Sequence, residues 1–372
     1  MLVNLSKAIR KSIIPLLLVF AWNINANPNP DWPLEDTIQG NNAVKALFAS
    51  DEILDITIYF DDLKKLKRDI SDDPSNHKAC VLVNNVKGKD FFEIKVKTRG
   101  NFRKNPMNCN FPPLKLDFRK DELGNSIFEG QNRLKLVTHC RSGNMEYDQY
   151  VIQEYLAYRI YNIITDKSFK VRLARVNYID NLEKCKAMTR YAFLIEDADD
   201  MAERNGYTHV ELKNIPQTYT DYFYENLLSV YQYMIGNTDW SVPGMHNIKL
   251  ILEKPDHRPV PVPYDFDFSG IVNTYYSFPS EKLAINSVEE RLFRGYERPM
   301  EDFQKVLDYL FTKQDEIMSL YENSQLSEKQ KTRAIEYLDE FFSIISDEDL
   351  INREFVMKAK KYQNIANLPG AH

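Results

Sequence analysis

The residues FEIKVKT, at positions 92 to 98, alternate apolar with polar side chains, and they decide the fold class of the first half of the chain. An alternation with a period of two predicts a β-strand that has one buried and one solvated face. PLKLDF at 113–118 and RLKLV at 133–137 have the same pattern. Turn-forming glycines occur near these segments, at Gly88, Gly100, Gly124 and Gly130. The pattern predicts consecutive strands in an antiparallel sheet.

On either side of this stretch, other segments have apolar residues at the spacing of strands or at the spacing of helices. Residues 146–164 keep apolar side chains at three- and four-residue spacing for about five turns, which predicts a long helix. Other strands are predicted at 55–60, 81–86, 169–178 and 188–195. A short helix is predicted at 61–70. Later helices are predicted at 222–235, 287–292, 302–321 and 327–345, and short strands at 246–252 and 261–264. We therefore predict an α+β protein with a β-rich N-lobe at 43–196, a helical C-lobe at 197–322 and a helical extension at 323–372.

The first 26 residues have the pattern of an export signal. Lys7, Arg10 and Lys11 precede the apolar run SIIPLLLVFAW at 12–22, and the polar NINA at 23–26 ends in a small residue. The run is shorter than the roughly 20 apolar residues of a membrane-spanning helix, and no later stretch is comparable. We expect a signal peptide at 1–26, a proline-rich linker at 27–42, and a periplasmic or extracellular product without a transmembrane span. No lipid anchor is indicated.

Composition excludes some classes of function. The 372 residues include 54 acidic and 48 basic side chains, so a nucleic-acid binder that relies on bulk positive charge is not expected. The four cysteines are not spaced like zinc ligands, since no CxxC pair occurs. Two disulfides and buried thiols are both compatible with the chain. These cysteines are Cys80, Cys109, Cys140 and Cys185.

Side chains suited to a metal-assisted reaction occur between residues 236 and 267. Asp239 follows the helix predicted at 222–235, Asn247 opens a strand, and Asp265 and Asp267 end the next strand. Magnesium prefers carboxylate and amide oxygens together with phosphate oxygens, so Asn247, Asp265 and Asp267 are candidate metal ligands. Asp239 is left as the base that phosphoryl transfer needs. Paired carboxylates also bind structural calcium, act in glycosidases, or simply satisfy a turn, so these residues alone leave the alternatives open.

Several segments between Lys97 and Gly270 resemble the CotH family, the spore-coat protein H type of atypical protein kinase. The similar segments are TRGNFR at 98–103, PLKLDF at 113–118, FLIE at 193–196, NTDW at 237–240 with HN at 246–247, and PYDFD at 263–267. The last resembles the metal-binding Asp-x-Asp of that family. The resemblance implies a two-lobed, kinase-like fold whose N-lobe is an antiparallel sheet.

The resemblance also implies residue roles. Asp239 would be the catalytic residue, and Asp265, Asn247 and Asp267 would hold Mg or Mn. ATP would be bound by Lys115, Arg99, Arg103 and Glu196. The chain departs from the family in that Asn247 follows Asp239 by eight positions, and in lacking a GxGxxG loop.

Two further residues are weaker candidates, because lysines on a sheet and acids on a helix are most often simply solvated. Lys135 is a second candidate for the phosphate-binding lysine, and Glu154 is a candidate partner for that lysine.

Two functions from different classes follow. The first is an exported phosphotransferase that moves the γ-phosphate of ATP to a hydroxyl of a protein or envelope acceptor, with Mg or Mn. The second is a non-catalytic, kinase-like module that binds a component of the cell envelope. The scarcity of ATP outside the cytoplasm favours the second, and the retention of Asp239, Asp265 and Asp267 favours the first.

Overall fold

Alternating strands build the first half of the molecule, which is a computed structural model that describes residues 44–85 and 88–361. The signal peptide predicted at 1–26 and the linker predicted at 27–42 lie outside these residues. Apolar side chains at every second position face one another inside the sheet and form its core, as Leu114, Leu116 and Phe118 do in one strand. The strands of this sheet are β1 Leu54–Phe60, β2 His77–Asn85, β3 Gly88–Thr98, β4 Leu114–Phe118, β5 Arg133–Val137, β6 Val171–Asp180 and β7 Met188–Ile195.

The seven strands close into a barrel in the order β1-β2-β3-β4-β5-β7-β6, and β6 returns to β1. Strands β1 and β6 run parallel, from the pair Leu54 and Ala174 to the pair Phe60 and Asp180, whereas the other neighbours are antiparallel. The predicted two-lobed, kinase-like fold with an antiparallel-sheet N-lobe is therefore wrong. The physical reason is that alternation shows that a strand has one buried face but not which distant strand it pairs with. The closing pair joins segments that are more than a hundred residues apart.

Helices dominate the rest of the chain. They are α1 Leu63–Arg68, α2 Glu146–Ile164, α3 Ala198–Arg204, α4 Tyr222–Met234, α5 Met300–Thr312, α6 Gln314–Glu322, α7 Glu328–Ile345 and α8 Glu348–Ile351, and a π-helical turn at Asn352–Val356 follows α8. The helix predicted at 302–321 is divided into α5 and α6, and the helix predicted at 287–292 does not form. Within the described ranges, no helix is both long enough and apolar enough to cross a membrane.

Helix α2 is the central element between the barrel and the later helices. It packs against β6 and β7 on the barrel and against α6. Tyr158 illustrates both sides, because its ring contacts Phe193 on β7, with centroids 5.5 Å apart, and Phe266, with centroids 4.6 Å apart. A helix buried around most of its circumference has little amphipathic character, and its side chains position whatever lies on either side of it.

A second, three-stranded antiparallel sheet lies beyond α3. Its strands are β8 Thr208–Val210, β9 Ile248–Leu252 and β10 Val260–Pro263, in the order β10-β9-β8. Helix α4 packs against β10. Asp239 follows α4, Asn247 directly precedes β9, and Asp265 and Asp267 follow β10.

The structure also decides between the alternatives for the cysteines. Cys109 and Cys140 form a disulfide, which joins the loop before β4 to the loop after β5. Cys80 and Cys185 are partly buried thiols. Tyr147 and Tyr276 pack against the disulfide, and the second of these tyrosines also contacts the candidate site.

Candidate functional site

The loop that carries Asp239 starts from a well-defined helix end. Asp221 caps the N-terminus of α4 by accepting hydrogen bonds from the backbone N–H groups of Phe223 and Tyr224. After α4 the chain turns at Gly236, whose φ of 64° lies in the left-handed region. A β-carbon at this position would overlap the hydroxyl of Tyr337. The sharp turn directs residues 237–247 away from the helix axis.

Two neighbours hold the carboxylate of Asp239. His246 Nε2 lies 2.8 Å from Oδ1, and Asn247 Nδ2 donates to Oδ2 at 3.1 Å and to the Asp239 carbonyl at 2.8 Å. The hydrogen bond to Asp239 raises the pKa of His246. Because the amide nitrogen of Asn247 is used in these bonds, its amide oxygen is the atom that remains to bind a cation.

The PYDFD segment is anchored by its central phenylalanine. Phe266 is fully buried, and its ring lies 4.6 Å from that of Tyr158 and 5.6 Å from that of Tyr231. The backbone N–H of Asp265 donates to the Tyr158 hydroxyl at 2.8 Å, and Asp265 has a φ of 64°. The packing of Phe266 thereby fixes the two acids on either side of it.

Buried acidic side chains cluster around Asp267 with Arg103 as their buried cation. The Asp267 carboxylate accepts a hydrogen bond from the Tyr276 hydroxyl at 2.9 Å, and Arg103 Nη1 lies 4.0 Å from it and 3.9 Å from the carboxylate of Glu154. Burial, reinforced by the charge of Asp265, raises the pKa of Asp267 to about 7. Burial also raises the pKa of Glu154, with further contributions from Asp267 and Asp265. The buried guanidinium of Arg103 therefore lies among three acids in a poorly solvated place.

This cluster of acids fits a divalent cation, which would stabilise their ionised forms. Among the described residues, no group of three or more His, Cys, Asp and Glu side chains is placed to hold a metal ion by itself. Magnesium usually takes only one or two carboxylates from a protein and completes its shell with water and phosphate oxygens. Asp265, Asp267 and the amide oxygen of Asn247 fit this smaller contribution. The charges of Asp239 and Asp265 both act on Asp267, so the predicted acids converge.

Lys135, rather than Lys115, borders the acids. Its ammonium lies 5.4 Å from the ring centroid of Tyr264, the residue before Asp265. Burial, together with the charge of Arg99, lowers the pKa of Lys135 to about 8, although Asp197 and Asp265 oppose this shift. Burial also lowers the pKa of Lys115, but the charges that act on it include neither Asp239 nor Asp265.

The remaining predicted ligands of ATP differ in position. Glu196 is buried, and both of its oxygens accept hydrogen bonds from Arg204, at 2.9 and 3.0 Å, so it forms a structural ion pair. Arg103 is buried among the acids, and its guanidinium also donates to the Thr138 carbonyl. Arg99 lies close enough to influence Glu154. The structure thus brings Arg99 and Arg103 to the acids, whereas the carboxylate of Glu196 is paired with Arg204.

Three contributors to this site were not predicted. His246 had a signal, because it directly precedes Asn247 and follows Asp239 by seven residues. Tyr276 and Tyr158 had none, because a tyrosine whose hydroxyl bonds to a site residue has the same sequence pattern as one that packs in a core. Glu154 was predicted to pair with a lysine, and its nearest cation is instead Arg103.

No protein-family model matches the chain, and no curated protein matches it.

Proposed function

We propose that this protein is an exported phosphotransferase that moves the γ-phosphate of ATP to a hydroxyl of a protein or envelope acceptor, with Mg or Mn. The observation that carries the proposal is that Asp265 and Asp267 lie around the buried guanidinium of Arg103, and that Asp239 is near enough for its charge to act on Asp267. Membership of the CotH family is part of the proposal and rests on the motifs quoted above. Export likewise rests on the pattern of residues 1–26.

The proposed roles follow from the atoms that each residue offers. Asp265, Asp267 and the Asn247 amide oxygen would hold the metal, which supplies charge neutralisation for the phosphates. Lys135, with its ammonium over Tyr264, would bind a phosphate oxygen. Asp239 would accept the proton of the acceptor hydroxyl as its oxygen bonds to the γ-phosphorus and the bond to the ADP oxygen breaks.

His246 and Asn247 act on this chemistry through Asp239. Their hydrogen bonds, at 2.8 and 3.1 Å, keep the carboxylate in one orientation, so that the acceptor hydroxyl meets a fixed oxygen. The carboxylate is still 40% exposed, so an acceptor from solvent can reach it.

The test is transfer of phosphate from γ-labelled ATP, with Mg and with Mn, by the mature chain. Asp239→Asn should lower the rate about 10²- to 10⁴-fold, the range for loss of a general base. Asp265→Asn should abolish the stabilisation of the protein by Mn-ADP in a thermal shift assay. Asparagine is tolerated at the positive φ of Asp265, so the fold should persist.

Asp199→Asn is the matched control, because Asp199 is 82% exposed and pairs with His209 far from the metal ligands in the chain. It should leave both readouts unchanged. Stabilisation by Mn-ADP without any transfer to protein, water or envelope acceptors would favour the non-catalytic binding module. The absence of both would contradict the proposal.

A further inference from the structure

The outer surface of the barrel carries a row of lysines that the sheet register creates. Lys97 on β3 lies directly opposite Lys115 on β4, and Lys115 lies directly opposite Lys135 on β5. Their chain neighbours Leu114, Leu116, Leu134 and Leu136 are buried in the barrel core, so the lysines are on the outside. With neighbouring strands about 4.8 Å apart, the row is about 10 Å long.

The next row along the same strands is also mostly basic. Lys95, Asp117 and Arg133 lie opposite one another on β3, β4 and β5. We call the five cations of these two rows the basic face: Lys95, Lys97, Lys115, Arg133 and Lys135. It occurs on a chain whose overall charge is −6.

Among the described residues, acids neutralise the basic face only in part. Asp117 lies directly opposite both Lys95 and Arg133. Lys97 lies 3.6 Å from Asp73, whose side chain is 97% exposed, and Lys115 and Lys135 make no ion pair with any described residue. Like charges directly opposite each other destabilise a sheet. The charge of Lys97 and that of Arg133 add to burial in lowering the pKa of Lys115. The repulsion between three lysines in register therefore destabilises the sheet, and a bound anionic ligand would reduce that repulsion.

One end of the basic face lies next to the candidate site. Its last member, Lys135, lies beside Tyr264 and within the field of Asp265, whereas Lys115 and Lys97 lie progressively farther round the barrel. A phosphate bound at the acids would reach Lys135. The other lysines are placed for a ligand that extends from the site along the outside of the barrel.

The strand pairing and the side chains of the basic face indicate which kind of ligand it can bind. Strands β3, β4 and β5 are each paired on both edges, so a partner cannot add a strand and must be recognised through side chains. None of the outward residues of the two rows is aromatic, so the rows themselves offer no surface on which bases or sugar rings would stack. Ammonium groups act as point charges and suit carboxylates spaced along a flexible chain.

We propose that the basic face binds an acidic segment of the acceptor polypeptide and thereby presents a neighbouring hydroxyl to Asp239. This inference rests on the proposed function, because it names the class of acceptor for the same site. The acceptor is then a protein whose phosphorylated Ser, Thr or Tyr adjoins a run of Asp and Glu.

The experiment measures binding without nucleotide, so that its failure is distinct from a failure of phosphotransfer. The probe is a fluorescein-labelled peptide with one serine followed by six glutamates, compared with the same peptide carrying glutamines, by fluorescence anisotropy with the mature chain. The glutamate peptide should bind, the glutamine peptide should not, and affinity should fall as salt is raised. Lys97→Glu with Lys115→Glu should weaken binding at least about tenfold.

Lys254→Glu with Lys305→Glu is the matched control, because it makes the same change in net charge at two other partly exposed lysines. It should bind the glutamate peptide as the wild type does. Equal binding of both peptides, equal loss in both double variants, or binding of inorganic polyphosphate but not of the glutamate peptide would overturn the proposal.

Discussion

Removing the charge of Asp267 should stabilise the metal-free protein at neutral and alkaline pH. Asp267 is buried, accepts a hydrogen bond from Tyr276, and lies near Asp265 and Glu154. Arg103 compensates only part of this charge, at 4.0 Å. Asp267→Asn keeps the volume of the side chain and an oxygen that can accept from Tyr276, and it removes the repulsion.

The sign and size follow from the pKa of Asp267, which burial raises from 3.8 to about 7. Since folding favours the protonated form, the stability that this group contributes is complete below about pH 4 and is lost as the pH rises to about 7. A rise of about three pKa units corresponds to about 4 kcal/mol of unfolding free energy. The wild type should therefore lose about this amount relative to Asp267→Asn between pH 4 and pH 8.

Urea unfolding with a chelator present, at pH values from 5 to 8, measures the difference. The unfolding free energy of Asp267→Asn minus that of the wild type should grow by about 1.4 kcal/mol per pH unit up to pH 7. Adding Mn should then stabilise the wild type at pH 8 and have less effect on the variant. A difference that stays constant with pH, or a variant less stable than the wild type at pH 8, would refute the reasoning.

Two further predictions concern the framework of the site. Cys109→Ala with Cys140→Ala opens a disulfide with a sequence separation of 31 residues, so urea unfolding should show a loss of about 3.7 kcal/mol. Cys80→Ala, which removes a partly buried thiol, should cost much less, and equal losses would show that the disulfide adds nothing. Gly236→Ala puts a β-carbon into the left-handed region and against the Tyr337 hydroxyl, and should lower the unfolding free energy by about 2 kcal/mol or more. Tyr337→Phe in the same chain should restore part of that loss, and no restoration would mean that the hydroxyl is not the obstacle.

Local patterns in the sequence predicted the individual elements well. The alternation of FEIKVKT places a strand where β3 Gly88–Thr98 forms, and the helix predicted at 146–164 coincides with α2. These elements follow from the spacing of apolar residues over a few turns or pleats, which neighbouring residues alone establish. Asp239, Asn247, Asp265 and Asp267 were also identified from residue type and spacing, and the structure brings them together.

The same local patterns did not predict contacts between residues that are far apart in the sequence. The apolar alternation of β1 does not specify its parallel pairing with β6, so barrel closure was not predicted and the expected fold class was wrong. Cys109 and Cys140 form the disulfide because the loops before β4 and after β5 meet, which no count of cysteines could show. Lys115 and Lys135 have the same alternating sequence environment, and only the place of β5 in the barrel puts the Lys135 ammonium next to Tyr264.

The sequence by itself determined where the strands, the long helix and the acids are, because each depends on chemistry within a short stretch of chain. Only the tertiary structure decided that Arg103 compensates Glu154 and Asp267, that Tyr276 donates to Asp267, and that three lysines share one row. Each of these contacts joins residues from different elements. Their distances depend on strand register and helix packing, which are properties of the whole fold.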